Sequence, residues 1–169
     1  MIYLITGGSG SGKSSYAEQL VNRLSASERI YLATMEVYDE ESESRMLRHR
    51  SQRAHLMMRT IEQGRALGTV ELPEDALVLL EDLPNWVANE MFTGGNTEQI
   101  EQDLDWLAHA CRHLIVVTGE VFSAGTAYDE ATRQYMQTLA GIARHVAMLA
   151  DTVVEVVCGC PVVIKGTLP

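Results

Sequence analysis

Apolar residues gather in short runs along the chain, at Ile2 to Thr6, Ile30 to Thr34, Ala76 to Leu80, Leu114 to Thr118 and Thr152 to Val157, each bounded by turn residues or charges. Between most of these runs the apolar positions change to helical spacing; from Lys13 to Leu24 they fall at Tyr16, Ala17, Leu20, Val21 and Leu24. Runs alternating with helices predict an α/β fold, a mostly parallel sheet with helices on both faces. Leu77-Val78-Leu79-Leu80 and Leu114-Ile115-Val116-Val117 carry no polar alternation, as strands covered on both sides do not. The last segment, Pro161 to Lys165, is placed against the preceding strand as a C-terminal edge hairpin. With 169 residues, 46% of them hydrophobic, and no repeat or linker, the chain reads as one domain over residues 1–169.

Ligands of open parallel sheets sit beyond the carboxyl ends of the strands. That rule singles out the residues that follow each run: the loop at Gly7, Thr34, Glu81-Asp82 and Gly119-Glu120. The first of these carries the clearest chemistry. Gly7-Gly8-Ser9-Gly10-Ser11-Gly12-Lys13-Ser14 fits G-x-x-x-x-G-K-[ST] at every position, with a strand before it and a helix after it. Glycines let consecutive backbone N–H groups turn inward around a phosphate, Lys13 reaches the outer phosphates, and the Ser14 hydroxyl holds Mg²⁺. The helix that follows aims its positive end at the same anion. A dinucleotide fingerprint would need glycine where Lys13 stands, so the loop is built for a nucleoside triphosphate.

Glu81 and Asp82 end an apolar strand, where a phosphate-loop protein places an acid to hold or water-bridge Mg²⁺. Glu81 is the first candidate; the alternative is that both acids cap the next helix, whose first turn would include Pro84 and Asn85. The segment Asp39 to Arg53 begins acidic and turns basic, which matches a helix dipole. Arg45, His49 and Arg53 are spaced i, i+4 and i+8 and share one helical face. An imidazole between two guanidiniums suits a phosphate neighbour, and a neutral histidine can attack phosphorus; a plain surface histidine is the competing reading. Glu120 either orients a substrate or is a simple loop acid. Trp86 and Trp106 lie in helical patterns and read as core or interface.

Charge and cysteine usage narrow the picture. A net charge of −10, from 13 basic and 23 acidic residues, argues against a broad nucleic-acid surface. There is no apolar run of membrane-spanning length and no charged leader before the first strand, so a cytoplasmic protein is expected. Cys111, Cys158 and Cys160 contain no C-x-x-C pair, which points to neither a disulfide framework nor a zinc site.

Taken together, these residues resemble one family, the bifunctional adenosylcobinamide kinase and adenosylcobinamide-phosphate guanylyltransferase of cobalamin biosynthesis. The resemblance covers essentially the full length. It rests on Ile5-Thr6-Gly7-Gly8 leading into Ser11-Gly12-Lys13-Ser14, on Tyr31-Leu32-Ala33-Thr34, and on Glu41 with the Arg45-x-x-x-His49-x-x-x-Arg53 face. It continues through Thr60 with Glu62, Leu80-Glu81 with Asn89, Thr118 with Glu120-Val121, Arg133, Gly141, and Gly159 with Ile164-Lys165. The resemblance implies a RecA-like P-loop fold, a homotrimer, and GTP, ATP and Mg²⁺ as cofactors, with adenosylcobinamide or its phosphate as the partner substrate. It assigns the nucleotide to the loop from Gly7 to Ser14 with Thr34, Glu62 and Glu81, and the metal to Ser14 with Glu81 or Asp82. It makes His49 the residue that carries GMP covalently, with Lys13, Arg45, Arg53 and Glu120 around the reacting phosphates. The chain departs from the family pattern at Gly119, Phe122, Met58 and Ile142-Ala143-Arg144-His145. These departures keep two other readings open: a P-loop small-molecule kinase without the guanylyl step, and a non-catalytic nucleotide-binding relative acting as an accessory or switch protein.

Overall fold

The structure is a computed structural model that describes residues 1–36, 56–121 and 128–168. The expectations for Glu41, Arg45, His49, Arg53 and Phe122 fall outside these described residues. In chain order the elements are β1 (Ile2–Thr6), α1 (Lys13–Arg23), β2 (Glu28–Ala33), β3 (Arg59–Glu62), β4 (Ala76–Glu81), α2 (Leu83–Phe92), α3 (Ile100–Ala110), β5 (His113–Val117), α4 (Glu130–Leu149), β6 (Thr152–Val157) and β7 (Cys160–Lys165). The strands form one sheet in the order β3-β2-β4-β5-β1-β6-β7. All neighbours run parallel except β6 and β7, which form the antiparallel edge hairpin.

The continuous apolar runs have the origin that their pattern implies. Along β4, Leu77 and Leu79 enter one buried cluster with Tyr3, Ile5, Ile115, Val117 and the α1 residues Tyr16, Ala17, Leu20 and Val21. Val78 and Leu80 point the other way, into a second cluster with Trp86 of α2, Leu104 and Leu107 of α3, and Leu139, Ile142 and Val146 of α4. Each fully buried leucine of this kind contributes roughly 1.5–3 kcal/mol relative to an exposed one. Trp86 is in the core, its indole Nε1 donating to Glu90 at 3.0 Å; Trp106 is part-exposed.

Strand ends differ from the apolar runs by one or two residues where backbone pairing continues past the hydrophobic stretch. Glu28 and Arg29 belong to β2 because they pair with Ala76 and Leu77, and Thr34 lies just beyond its end. Strand β3 has no counterpart in the sequence pattern. It is four residues long, sits at the sheet edge, and has one large apolar residue, Ile61. Among the described residues no helix is long and apolar enough to cross a membrane.

Candidate functional site

The carboxyl end of β1 passes directly into the glycine-rich loop. Gly7 is required by close approach: a Cβ there would lie 2.6 Å from the Val156 carbonyl oxygen and 2.6 Å from Ser11 Oγ. Gly12 caps α1 with a left-handed backbone, φ 92°, which only glycine adopts without strain. The loop is pinned internally, by Ser11 N–H to the Gly8 carbonyl at 3.2 Å, and externally, by Gly159 N–H of the hairpin tip to the Ser11 carbonyl at 2.8 Å. Helix α1 has neither a side-chain cap nor an acid in its first turn. Its leading N–H groups and the positive end of its dipole are therefore left to an anion. Lys13 Nζ rests on the Gly8 carbonyl at 3.3 Å, within the same loop.

Strand β5 separates β1 from β4, so the acids at the end of β4 stand two strand spacings, roughly 10 Å, from the loop strand. That gap fits phosphates and a cation between them, and excludes direct pairing of the two strands' ends. Glu81 closes β4 and accepts from the Tyr31 hydroxyl at 3.3 Å. Asp82 is the N-cap of α2, its Oδ1 accepting from Asn85 N–H at 2.9 Å. Capping is therefore an observed role of Asp82, as the Pro84-Asn85 sequence allowed. Burial, foremost, raises its carboxyl above the usual range, and the Glu81 charge adds to this, while the Asn85 N–H and the Lys13 ammonium oppose it.

Thr34 lies at the rim but turns inward. Its hydroxyl donates to the Asp82 carbonyl and accepts from the Asp82 N–H, both at 2.8 Å. Asn89 completes the joint: its Nδ2 donates to the Thr34 carbonyl at 2.7 Å and to the Gly64 carbonyl at 3.0 Å. Asn89 and Tyr31 carry no local sequence signal that marks either as a partner of the rim; the only signal for them lies in the longer matches Leu80-Glu81 with Asn89 and Tyr31-Leu32-Ala33-Thr34. Glu62 ends β3, four strand spacings or roughly 19 Å from β1, too far for contact with phosphates in the loop. It borders a cleft of about 590 Å³ with Glu36, Gly64, Arg65, Glu90 and Asn96. Glu120 is exposed and adjoins the loop, its N–H donating to the Gly7 carbonyl at 3.1 Å.

The donor set suits a hard divalent cation. The Ser14 hydroxyl and the Glu81 and Asp82 carboxylates would all offer oxygen atoms, the donor that Mg²⁺ prefers. Among the described residues no group of three or more His, Cys, Asp or Glu forms a self-sufficient metal cage. A phosphate-loop Mg²⁺ does not need one, because it takes its remaining ligands from phosphates and water.

A family model described as cobinamide kinase / cobinamide phosphate guanyltransferase matches residues 3–164, from β1 through the hairpin. The chain belongs to this family. It is 31% identical to the bifunctional adenosylcobalamin biosynthesis protein CobU of Salmonella typhimurium strain LT2, over 98% of this chain and 100% of that protein. The CobU protein of Escherichia coli strain K12 is 30% identical with the same coverage. CobP of Pseudomonas aeruginosa is 29% identical over 96% of both chains. Among solved structures, an ATPase from the type III secretion system of pathogenic bacteria matches with a TM-score of 0.55 and 13% identity, over 91% of this chain and 50% of that one. That likeness concerns the P-loop fold alone, and the chain spans half the length of the ATPase.

Proposed function

We propose that the protein phosphorylates adenosylcobinamide with a nucleoside triphosphate and then transfers GMP from GTP to adenosylcobinamide-phosphate, giving adenosylcobinamide-GDP and pyrophosphate. The observation that carries this reading is family membership over residues 3–164 together with a loop whose helix N-terminus is left open to phosphate. In the first step the aminopropanol hydroxyl oxygen bonds to the γ-phosphorus, the bond from that phosphorus to the nucleoside diphosphate breaks, and the hydroxyl proton leaves to solvent. Lys13 holds the outer phosphates and Glu120 orients the acceptor.

In the second step a ring nitrogen of His49 attacks the α-phosphorus of GTP. A nitrogen–phosphorus bond forms, the α–β phosphate bond breaks, and pyrophosphate remains on the loop. Arg45 and Arg53 offset charge on the phosphates. A phosphate oxygen of the acceptor then displaces His49 and restores the free imidazole. Bound Mg²⁺, held by Ser14 and Glu81, supplies neutralisation of the phosphate oxygens. The same reading makes the chain a cytoplasmic protein and a homotrimer; sedimentation of the purified protein tests the trimer, and the exposed Val162, Val163 and Ile164 of β7 favour self-association.

GTP labelled at the α-phosphate is expected to leave acid-labile label on the protein, and His49→Ala is expected to abolish it. Unchanged labelling of that variant would remove His49 from the mechanism. Phosphorylated adenosylcobinamide formed with no label on the native protein would reduce the activity to that of a kinase.

A further inference from the structure

Among the described residues, five buried side-chain polar atoms have no hydrogen-bond partner: Ser11 Oγ, Tyr16 OH, Asp103 Oδ2, His113 Nδ1 and Thr118 Oγ1. Ser11 belongs to the phosphate loop itself. Thr118 is the first residue beyond β5 and lies outside the phosphate loop. Strand β5 is central, with β1 on one side and β4 on the other. The registers Ile5↔Val117 and Leu80↔Val116 set Thr118 between the start of the loop and the end of β4. Its N–H donates to the Ile5 carbonyl at 2.9 Å, and two residues on, Glu120 N–H donates to the Gly7 carbonyl at 3.1 Å. The backbone on either side of Thr118 is thus tied to the entry of the phosphate loop.

The side chain is not explained by the fold. Thr118 is 4% exposed, and its hydroxyl meets neither protein nor solvent. Valine has the same shape and would fill the same space without a stranded polar group, whose burial without a partner is destabilising. A hydroxyl stranded at the middle of a ligand-binding rim gains its partner when the ligand arrives. We propose that Thr118 is a nucleotide-binding residue whose hydroxyl donates to a phosphate oxygen of the bound triphosphate. As a neutral donor it adds direction rather than attraction, and it complements Lys13, which supplies the charge. Because Oγ1 is closed to solvent, binding is accompanied by a local shift of the rim; Lys13, resting on the Gly8 carbonyl, is one group that must move to reach a phosphate.

This inference rests on the triphosphate part of the proposed function and is independent of the acceptor and of His49. Its test is equilibrium titration with Mg²⁺ and GTP carrying a non-cleavable α,β bridge, combined with thermal unfolding of each variant. Thr118→Val is expected to unfold at the same or a higher temperature than the native protein and to bind the analogue about tenfold or more weakly, the range for a hydrogen bond to a charged group. Thr118→Ser is expected to restore binding to within about threefold of native, since it returns the donor. Native affinity in Thr118→Val overturns the proposal, and so does equal loss of stability and binding in both variants. An absence of guanylylated product leaves this titration untouched, so failure of the proposed reaction and failure of the Thr118 contact are read separately.

Discussion

Asp82 is pulled in two directions. As the N-cap of α2 it supplies a bond to Asn85 N–H, a feature whose loss in other helices costs about 1 kcal/mol. As a carboxylate it is held, chiefly by burial, above its ordinary pKa. A folded pKa above the unfolded one means that the folded state binds the proton more tightly. The group's favourable contribution is therefore present at low pH and is lost as the pH rises through its folded value, leaving a net cost at neutrality. Asparagine caps as well as aspartate, so Asp82→Asn is expected to match or exceed native stability at neutral pH. Glu81 has no capping duty, and Glu81→Gln is expected to lower turnover by about a hundredfold or more, against tenfold or less for Asp82→Asn, as for loss of a transition-state electrostatic group. Steady-state rates and melting curves check both; equal losses of turnover would refute the priority of Glu81. At this scale the sequence was legible where a residue is demanded by its own neighbours. Gly12, with its left-handed backbone, and the Asp82-Leu83-Pro84-Asn85 cap are of that kind. The hydrogen bonds of Tyr31, Thr34 and Asn89 were not, although the strand-end rule singles out Thr34 itself, because their partners lie 50, 48 and 55 residues away along the chain.

The hairpin shows what an element does beyond its own pairing. Its turn is two residues long, Cys158 at φ 49° and Gly159 at φ 81°, the arrangement of a type I′ turn with positive φ at both central positions. Glycine meets that demand and cysteine does not. The apolar run and the following Pro161 to Lys165 segment made the hairpin itself legible. Its docking on the phosphate loop was not, because no local pattern joins Gly159 to Ser11 or sets Gly12 3.4 Å, by its would-be Cβ, from the Gly159 Cα. Two substitutions separate turn geometry from loop support. Cys158→Asn gives the preferred Asn-Gly turn and is expected to raise stability by up to about 1 kcal/mol with GTP affinity unchanged. Gly159→Ala forces a left-handed alanine at the docking point, and is expected to cost about 1–2 kcal/mol and to weaken GTP binding as well. Native affinity in a destabilised Gly159→Ala protein would show that the hairpin tip is not a support of the loop. Strand β3 was illegible for the opposite reason: a four-residue edge strand has too few buried positions to write a pattern.

For the molecule as a whole, the sheet separates function from stability along the strand direction. The alternation of runs and helices made the parallel sheet and its carboxyl rim legible, since both follow from burial and chain direction; the strand order depends on tertiary packing and had to be seen. The far end of the central strand β5 carries His113, which is buried with its ring centroid 6.4 Å from that of Tyr3 on the neighbouring N-terminal strand β1. Burial, foremost, lowers its pKa, the N-terminal ammonium and Arg112 lower it further, and the Ser25 backbone and the Asp75 charge oppose them. In this case the folded state binds the proton less well than the unfolded chain. Below the unfolded histidine value of about 6.5 the unfolded state takes up protons that the folded state refuses, so stability rises with pH across that region and declines as the solution is acidified. The native protein is therefore expected to lose stability between about pH 7 and pH 5, a window above most carboxylate titration. His113→Leu is expected to flatten that part of the profile while leaving GTP affinity intact, because residue 113 opens β5 and the nucleotide rim lies past its last residue. Chemical denaturation across the window measures the slope, and a profile that keeps its native slope in His113→Leu would place the proton linkage on other groups.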